Sequence, residues 1–253
     1  MTELVLRTHA LVKRFGGITA TDHVSLDIRR GARHALIGPN GAGKTTLINQ
    51  LTGVLAPTSG RVELQGRDIT ALAPHKRVGL GLVRTFQINQ LFATLTPLQS
   101  LAIAVAGRLG AAHRWWQPMG ADAAIAAECE ALLAQFRLQD HADQPTRILP
   151  YGKRRLLEIA LAVAHKPSVL LLDEPAAGVP AGERADILAT VAALPAEVSV
   201  VLIEHDMDLV FSFATRITVL VNGAVLTEGD PRTIAADPQV KAVYLGDTEV
   251  SHG

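Results

Sequence analysis

Residues Gly38-Pro39-Asn40-Gly41-Ala42-Gly43-Lys44-Thr45 follow the apolar stretch Ala35 to Ile37 and lead into a helix-compatible run, Thr46 to Leu51. No other feature narrows the fold as far, because strand, glycine-rich turn and helix in direct succession are what a phosphate loop requires. Glycines let successive backbone N–H groups converge on phosphate oxygens at a helix N-terminus, where unpaired donors and the helix dipole favour an anion. Lys44 adds a mobile point charge, and the Thr45 hydroxyl suits Mg²⁺ coordination. An ordinary glycine-rich turn would not need both flanking elements. A dinucleotide-binding loop would carry glycine where Thr46 stands, so that reading fails.

A second element points the same way. Val169-Leu170-Leu171-Leu172 is a fully apolar run that ends in Asp173-Glu174-Pro175. Alone, this would be a buried strand closing in a solvated acidic turn. Downstream of a phosphate loop, it brings Asp173 to a metal and leaves Glu174 facing an attacking water.

The remaining sequence sets limits on both. With 253 residues, 48% of them hydrophobic, the chain can bury a large core. Lys plus Arg number 24 and Asp plus Glu 24, which argues against a nucleic-acid partner and a polybasic membrane surface, so any anion is held locally. Cys129 is the single cysteine, which excludes an internal disulfide and fits a reducing, cytoplasmic setting. The N-terminus lacks the apolar stretch of a signal peptide, and the most apolar segment, Leu98 to Ala112, is too short to span a bilayer. Action at a membrane would need spanning helices from another polypeptide.

Strand-like segments open the chain, at Leu4 to Leu6, Val24 to Ile28, His34 to Ile37, Arg61 to Leu64 and Leu82 to Phe86. Helical spacing takes over at Leu98 to Arg108, Ala123 to Phe136 and Arg154 to Ala164, and reads as a helical insertion. From Val169, apolar strands alternate with helices, as in a parallel sheet covered on both faces. Asn222-Gly223 predicts a hairpin turn between Ile217 to Val221 and Ala224 to Thr227. Pro231 and Pro238 open two short helices, and Asp247 to Gly253 reads as a frayed tail.

In order and spacing, these motifs resemble those of ABC-transporter ATPases over nearly the whole chain. Gly38 to Thr45 resembles Walker A and Asp173-Glu174 the end of Walker B. Gln87 in Arg84-Thr85-Phe86-Gln87 matches the Q-loop, and His205 in Ile203-Glu204-His205-Asp206 the switch histidine. The resemblance implies an α/β fold: a P-loop NTPase (RecA-like) core with an N-terminal antiparallel β-subdomain, about residues 1–95 and 160–235. It also implies an inserted α-helical subdomain, about 96–159, and a helical tail, 236–253. ATP and Mg²⁺ are the implied cofactors. Gly38, Pro39, Asn40, Gly41, Ala42, Gly43, Lys44, Thr45 and Thr46 would bind nucleotide, with Phe15 against adenine or, equally, in a packing role. Thr45, Gln87 and Asp173 would hold the metal; Glu174, His205, Gln87 and Lys44 would carry catalysis.

Two motifs depart from the family. Its signature, usually Leu-Ser-Gly-Gly-Gln, caps the γ-phosphate bound by the opposite subunit, and here it reads Leu149-Pro150-Tyr151-Gly152-Lys153. Either Lys153 and the dipole of the following helix replace the lost serine contact, or this signature is degenerate and the dimer has one weak site or pairs with a different subunit whose signature is intact. Pro180 stands where family members carry an acidic or amide residue reaching across the dimer, which puts communication between the sites in doubt.

Arg84 to Gln87, Asp173 to Gly178, Ile203 to Met207, Asp237-Pro238 and Tyr244-Leu245-Gly246 are similar to the ATPases of branched-chain amino-acid importers. That branch implies transmembrane permease subunits, a homodimer or a heterodimer with a paralogous ATPase, an extracytoplasmic solute-binding protein acting indirectly, and a peripheral place on the inner face of the cell membrane. Urea or amide import, lipopolysaccharide export and a weakly hydrolysing nucleotide switch remain as alternatives.

Overall fold

The computed structural model describes residues 3–85, 91–110 and 122–250, apart from the side chains of 181 and 245–250. Strand β1 (Leu4–Phe15) is the axis of an antiparallel sheet. Along one edge, Leu4, Leu6 and Arg7 pair with β3 (Asp27–Arg29), while Leu11, Lys13, Arg14 and Phe15 pair with β2 (Ile18–Val24). Its other edge pairs with β5 (Ser59–Leu64), which in turn pairs with β6 (Arg67–Asp68).

The single strand expected over Val24 to Ile28 is therefore broken. Buried Thr8 breaks it: its hydroxyl donates to Val24 O (3.0 Å) and accepts from Leu26 N (2.8 Å), while Ala10 N donates to Ser25 Oγ (2.9 Å). Side-chain oxygens thus take the bonds that a continuous ladder would have used.

The second sheet has the order β11-β10-β4-β9-β8-β7. β4 (Arg33–Ile37), β7 (Leu82–Arg84), β8 (Val169–Asp173), β9 (Ser199–Ile203) and β10 (Arg216–Val221) run parallel, and β11 (Ala224–Gly229) closes one edge antiparallel to β10. Alternate residues of the apolar runs face opposite sides. Ala35, Ile37, Leu170 and Leu172 join a core under the helices, whereas Leu36, Val169 and Leu171 join one shared with the antiparallel sheet. Burial on both faces is why these strands read as unbroken apolar runs.

Helix α1 (Lys44–Thr52) follows β4 directly, and α2 (Pro74–Gly79) precedes β7. α3 (Pro97–Arg108) starts at a capping box between Thr96 and Gln99, α4 (Ala123–Gln135) at Asp122, and α5 (Tyr151–Ala164) at Pro150. α6 (Ala181–Ala192) and α7 (Met207–Phe213) cover the parallel sheet, with Asp206 capping α7. α8 (Pro231–Ala236) is short as expected, and α9 (Pro238–Val250) reaches into the segment read as a frayed tail, of which 251–253 lie outside the described residues. Val240 is buried against the helical core, with Tyr244 packed on it, which supplies the apolar face that holds this helix in place.

One buried residue escaped the sequence reading. Arg77, 1% exposed, donates to Leu72 O (2.9 Å), Gln50 O (2.8 Å), Leu51 O (2.5 Å) and Thr70 O (2.8 Å). It thereby satisfies Leu51 O at the end of α1, adds to the Gly53 N–H bond at Gln50 O, and ties that end to the carbonyls of Thr70 and Leu72. Arg77→Met keeps the apolar stem but strands these acceptors, and should cost about 3 kcal/mol. Urea denaturation should show the lower midpoint; an unchanged midpoint would mean that water satisfies these carbonyls.

Candidate nucleotide-binding site

The loop between β4 and α1 is walled by backbone. Gly38 (φ +151°) lies so close to β10 that a Cβ there would come within 2.1 Å of Leu220 O, and at Gly43 (φ +98°) a Cβ would come within 2.3 Å of Ala20 O in β2. Only glycine fits such approaches. The turn after β10 completes the clamp: Gly223 N donates to Ala42 O (3.0 Å) and Asp22 N to Gly223 O (2.8 Å). Lys44 folds back over the loop, donating to Gly38 O (2.6 Å) and Pro39 O (2.9 Å). Thr45 is exposed and Thr46 half-buried at the start of α1, and Asn40 and Gly41 face outward.

Asp173 ends β8, 6% exposed, and its Oδ2 accepts from Arg84 Nη2 at 2.5 Å. Arg84 Nη1 also donates to Asn49 Oδ1 on α1 (2.7 Å), so one guanidinium ties β7, β8 and α1 together. Sequence reasoning missed this pair. The available signal was an arginine directly after the buried Leu82-Val83, because a buried guanidinium needs a carboxylate.

Glu174 takes the left-handed backbone conformation (φ +47°), and its N–H donates to Ile203 O (2.9 Å). That turn points its carboxylate toward His205, whose Nδ1 is 3.9 Å from Glu174 Oε1; the imidazole is exposed. The neighbouring Glu204, 3% exposed, accepts from Ala176 N (3.3 Å) and His205 N (3.4 Å). Burial pushes its carboxyl above the usual carboxylate range. Glu204 was quoted only as His205's neighbour, yet it fastens the turn after Glu174 to the turn that carries His205. Lys44, Asp173, Glu174 and His205 thus stand at the C-terminal ends of β4, β8 and β9, where an open parallel sheet binds ligands.

Phe15 ends β1 opposite Ile18, 50% exposed, with the Lys13 ammonium 5.2 Å from its ring centroid. Leu149 is buried, and Pro150 precedes the first turn of α5 as the sequence suggested. The Tyr151 hydroxyl donates to Ala177 O (3.1 Å), while the Lys153 ammonium donates to Arg137 O (2.8 Å) beyond α4. The signature segment therefore bonds to the loop after Glu174 and to the helical layer, whereas residues 38–46 bond to the β10–β11 turn and lie against β2. Pro180 caps α6 without a side-chain hydrogen bond. Gln87 lies outside the described residues. Among the described residues, no helix is long and apolar enough to cross a membrane.

Comparison with known proteins agrees with this architecture. The family model described as ABC transporter matches residues 21–177, and the model described as branched-chain amino acid ATP-binding cassette transporter matches residues 224–250. The chain is 39% identical to the high-affinity branched-chain amino acid transport ATP-binding protein BraF of Pseudomonas aeruginosa, covering 98% of this chain and 100% of the relative. It is 36% identical to LivG of Escherichia coli, a protein of the same description, over the same shares. Among solved structures, the ADP conformation of MJ1267, an ATP-binding cassette of an ABC transporter, superposes with a TM-score of 0.85 at 32% identity, covering 97% of this chain and 100% of that one. With one family model matched over more than half its length and such relatives aligned nearly end to end, the chain belongs to the ABC transporter family, as one of its ATP-hydrolysing, ATP-binding subunits.

Proposed function

We propose that this subunit powers the import of branched-chain amino acids through separate permease subunits, at the inner face of the membrane. The observation that carries the solute assignment is the full-length likeness, at 36–39% identity, to proteins described as branched-chain amino acid transport ATP-binding proteins. It favours these solutes over urea, short amides or lipopolysaccharide.

In the proposed mechanism, the N–H groups of residues 38–46 and the Lys44 ammonium hold the triphosphate, and Phe15 stacks on adenine. Lys44 must release the carbonyls of Gly38 and Pro39 to do so, an exchange of neutral acceptors for a charged one. Water attacks the γ-phosphorus in line, the bond to the β–γ bridging oxygen breaks, and ADP leaves. Glu174 orients the water and takes its proton; His205, beside it, contacts the γ-phosphate and senses its loss. The residues present fit Mg²⁺, which keeps most of its waters and needs few protein groups besides phosphate: Thr45 is exposed at the start of α1, and Arg84 occupies one Asp173 oxygen and leaves the other. With Gln87 as a third ligand, the bound ion would neutralise charge on the β- and γ-oxygens.

Two copies of this chain, or one copy and a paralogue, would sandwich ATP between residues 38–46 of one and the start of α5 of the other. The N-terminus of α5 offers unpaired backbone donors and a positive dipole end for the phosphate, with Lys153 free to swing from Arg137 O at little cost. We further read residues 96–159 as a helical subdomain moving on a core formed by 1–95 and 160–235, with 236–253 as a tail. The permease would dock beside Gln87. Phe92 and Ile148, 70% and 61% exposed, lie on segments joined by Arg147 N to Ala93 O (3.0 Å) and Thr146 N to Leu95 O (2.9 Å), two large exposed apolar side chains that we read as belonging to the partner surface.

Two outcomes are expected. In the transporter assembled with its permeases and solute-binding protein, leucine should stimulate ATP turnover and urea should not, and Glu174→Gln should abolish the stimulated rate; stimulation by urea alone would contradict the solute assignment. Phe92→Asp combined with Ile148→Asp should release the subunit from the permeases on co-purification, leaving ATP affinity within about twofold, since these side chains touch no phosphate. Retained co-purification would move the docking surface elsewhere.

A further inference from the structure

Pro180 lacks a polar side chain at the position through which family members reach across the dimer, yet α5 is wired to the catalytic turn by another route. The Tyr151 hydroxyl donates to Ala177 O (3.1 Å), a carbonyl that Arg155 Nη2 also approaches (3.5 Å). Ala177 N in turn donates to Glu174 O (3.0 Å), so two hydrogen bonds separate the phenol from Glu174.

The ring is held on both sides. It stands against Gly178, kept at φ +73°, where a Cβ would come within 3.0 Å of the phenolic oxygen. Arg154 and Arg155 place their guanidinium groups 5.9 and 5.6 Å from its centroid, and Arg155 is itself anchored by Glu158 at 2.9 Å. Any shift at the start of α5 is thereby imposed on Ala177.

Glu174 has reason to need such a hold. A non-glycine residue at φ +47° is strained, and strain of this kind persists only where the surroundings over-determine it. The turn after it, residues 174–179, is pinned by Glu204 to Ala176 N on the His205 side and by Tyr151 to Ala177 O on the α5 side. We propose that Tyr151 is a positioning residue for Glu174, linking the start of α5 to the catalytic turn of the same subunit. A nucleotide seated on α5 from the opposite subunit then acts on this subunit's own Glu174 without any polar group at position 180. The inference rests on the proposed sandwich of ATP between subunits and on Glu174 as the water-orienting group.

Tyr151→Phe keeps the ring and removes only the donor, so it isolates the bond from the packing. In the full-length chain, kcat for ATP hydrolysis should fall by about threefold or more, the size expected of one neutral hydrogen bond, while the KM for ATP and the thermal midpoint stay at parent values. A smaller fall in kcat overturns the proposal. A fall accompanied by a raised KM or a lowered thermal midpoint also overturns it, because the hydroxyl would then serve nucleotide binding or stability. If the unmodified chain shows no turnover, Glu174 chemistry itself fails, an outcome distinct from loss on Tyr151→Phe alone.

Discussion

The close approach of the phosphate loop to the backbones of β2 and β10 is the constraint on which the rest of the structure depends. A glycine-rich loop left to itself samples many conformations, and fixing each residue costs about 1–2 kcal/mol. Here the cost is met by packing that only glycine permits, at Gly38 against Leu220 O and at Gly43 against Ala20 O, and by the bond from Gly223 N to Ala42 O. Because β2 belongs to the antiparallel sheet and β10 to the parallel one, the two sheets meet at the loop. The core between them, with Leu47, Ile48 and Leu51 of α1 at its centre, sets where the first turn of α1 points.

Around that fixed loop, charged groups are held by specific partners. Asp173 is buried beside the Arg84 guanidinium, which donates to it and ties the same carboxylate to α1 through Asn49. Removing either partner would leave the other buried without its counter-charge, an arrangement far costlier than the loss of a surface pair. Glu204 plays a different part. Burial raises its carboxyl, but backbone donors from Ala176 and His205 hold it between two turns, so the loops bearing Glu174 and His205 cannot drift apart independently. In the proposed mechanism, linking these backbones beforehand leaves less to order when nucleotide arrives.

Features governed by local chemistry were legible in the sequence. The parallel strands announced themselves as apolar runs because both their faces are covered; Asn222-Gly223 marked its hairpin; and Gly38 to Thr45 carried the phosphate loop with its strand and helix. What escaped depends on residues far apart in the chain. β1 extends to Phe15 because it is paired with β2 along one edge and β5 along the other, and the break between β2 and β3 comes from the Thr8 hydroxyl. Arg77, Arg84 and Tyr151 each looked like surface or motif residues until their partners, Leu51, Asp173 and Ala177, were brought beside them. α9 runs past Asp247, where the frayed tail was expected to begin, because Val240 and Tyr244 upstream hold the helix by apolar contacts with the core.

The central claim is that residues 38–46, and not a general cationic surface, bind a magnesium nucleotide. Isothermal titration of the full-length chain with ATP, in magnesium and again in excess chelator, tests it most directly. The account predicts saturable uptake of a single ATP per chain that weakens by about tenfold or more without magnesium and again on Lys44→Ala. Folded protein that takes up no ATP, or takes it up equally with chelator present and Lys44 replaced, would contradict it.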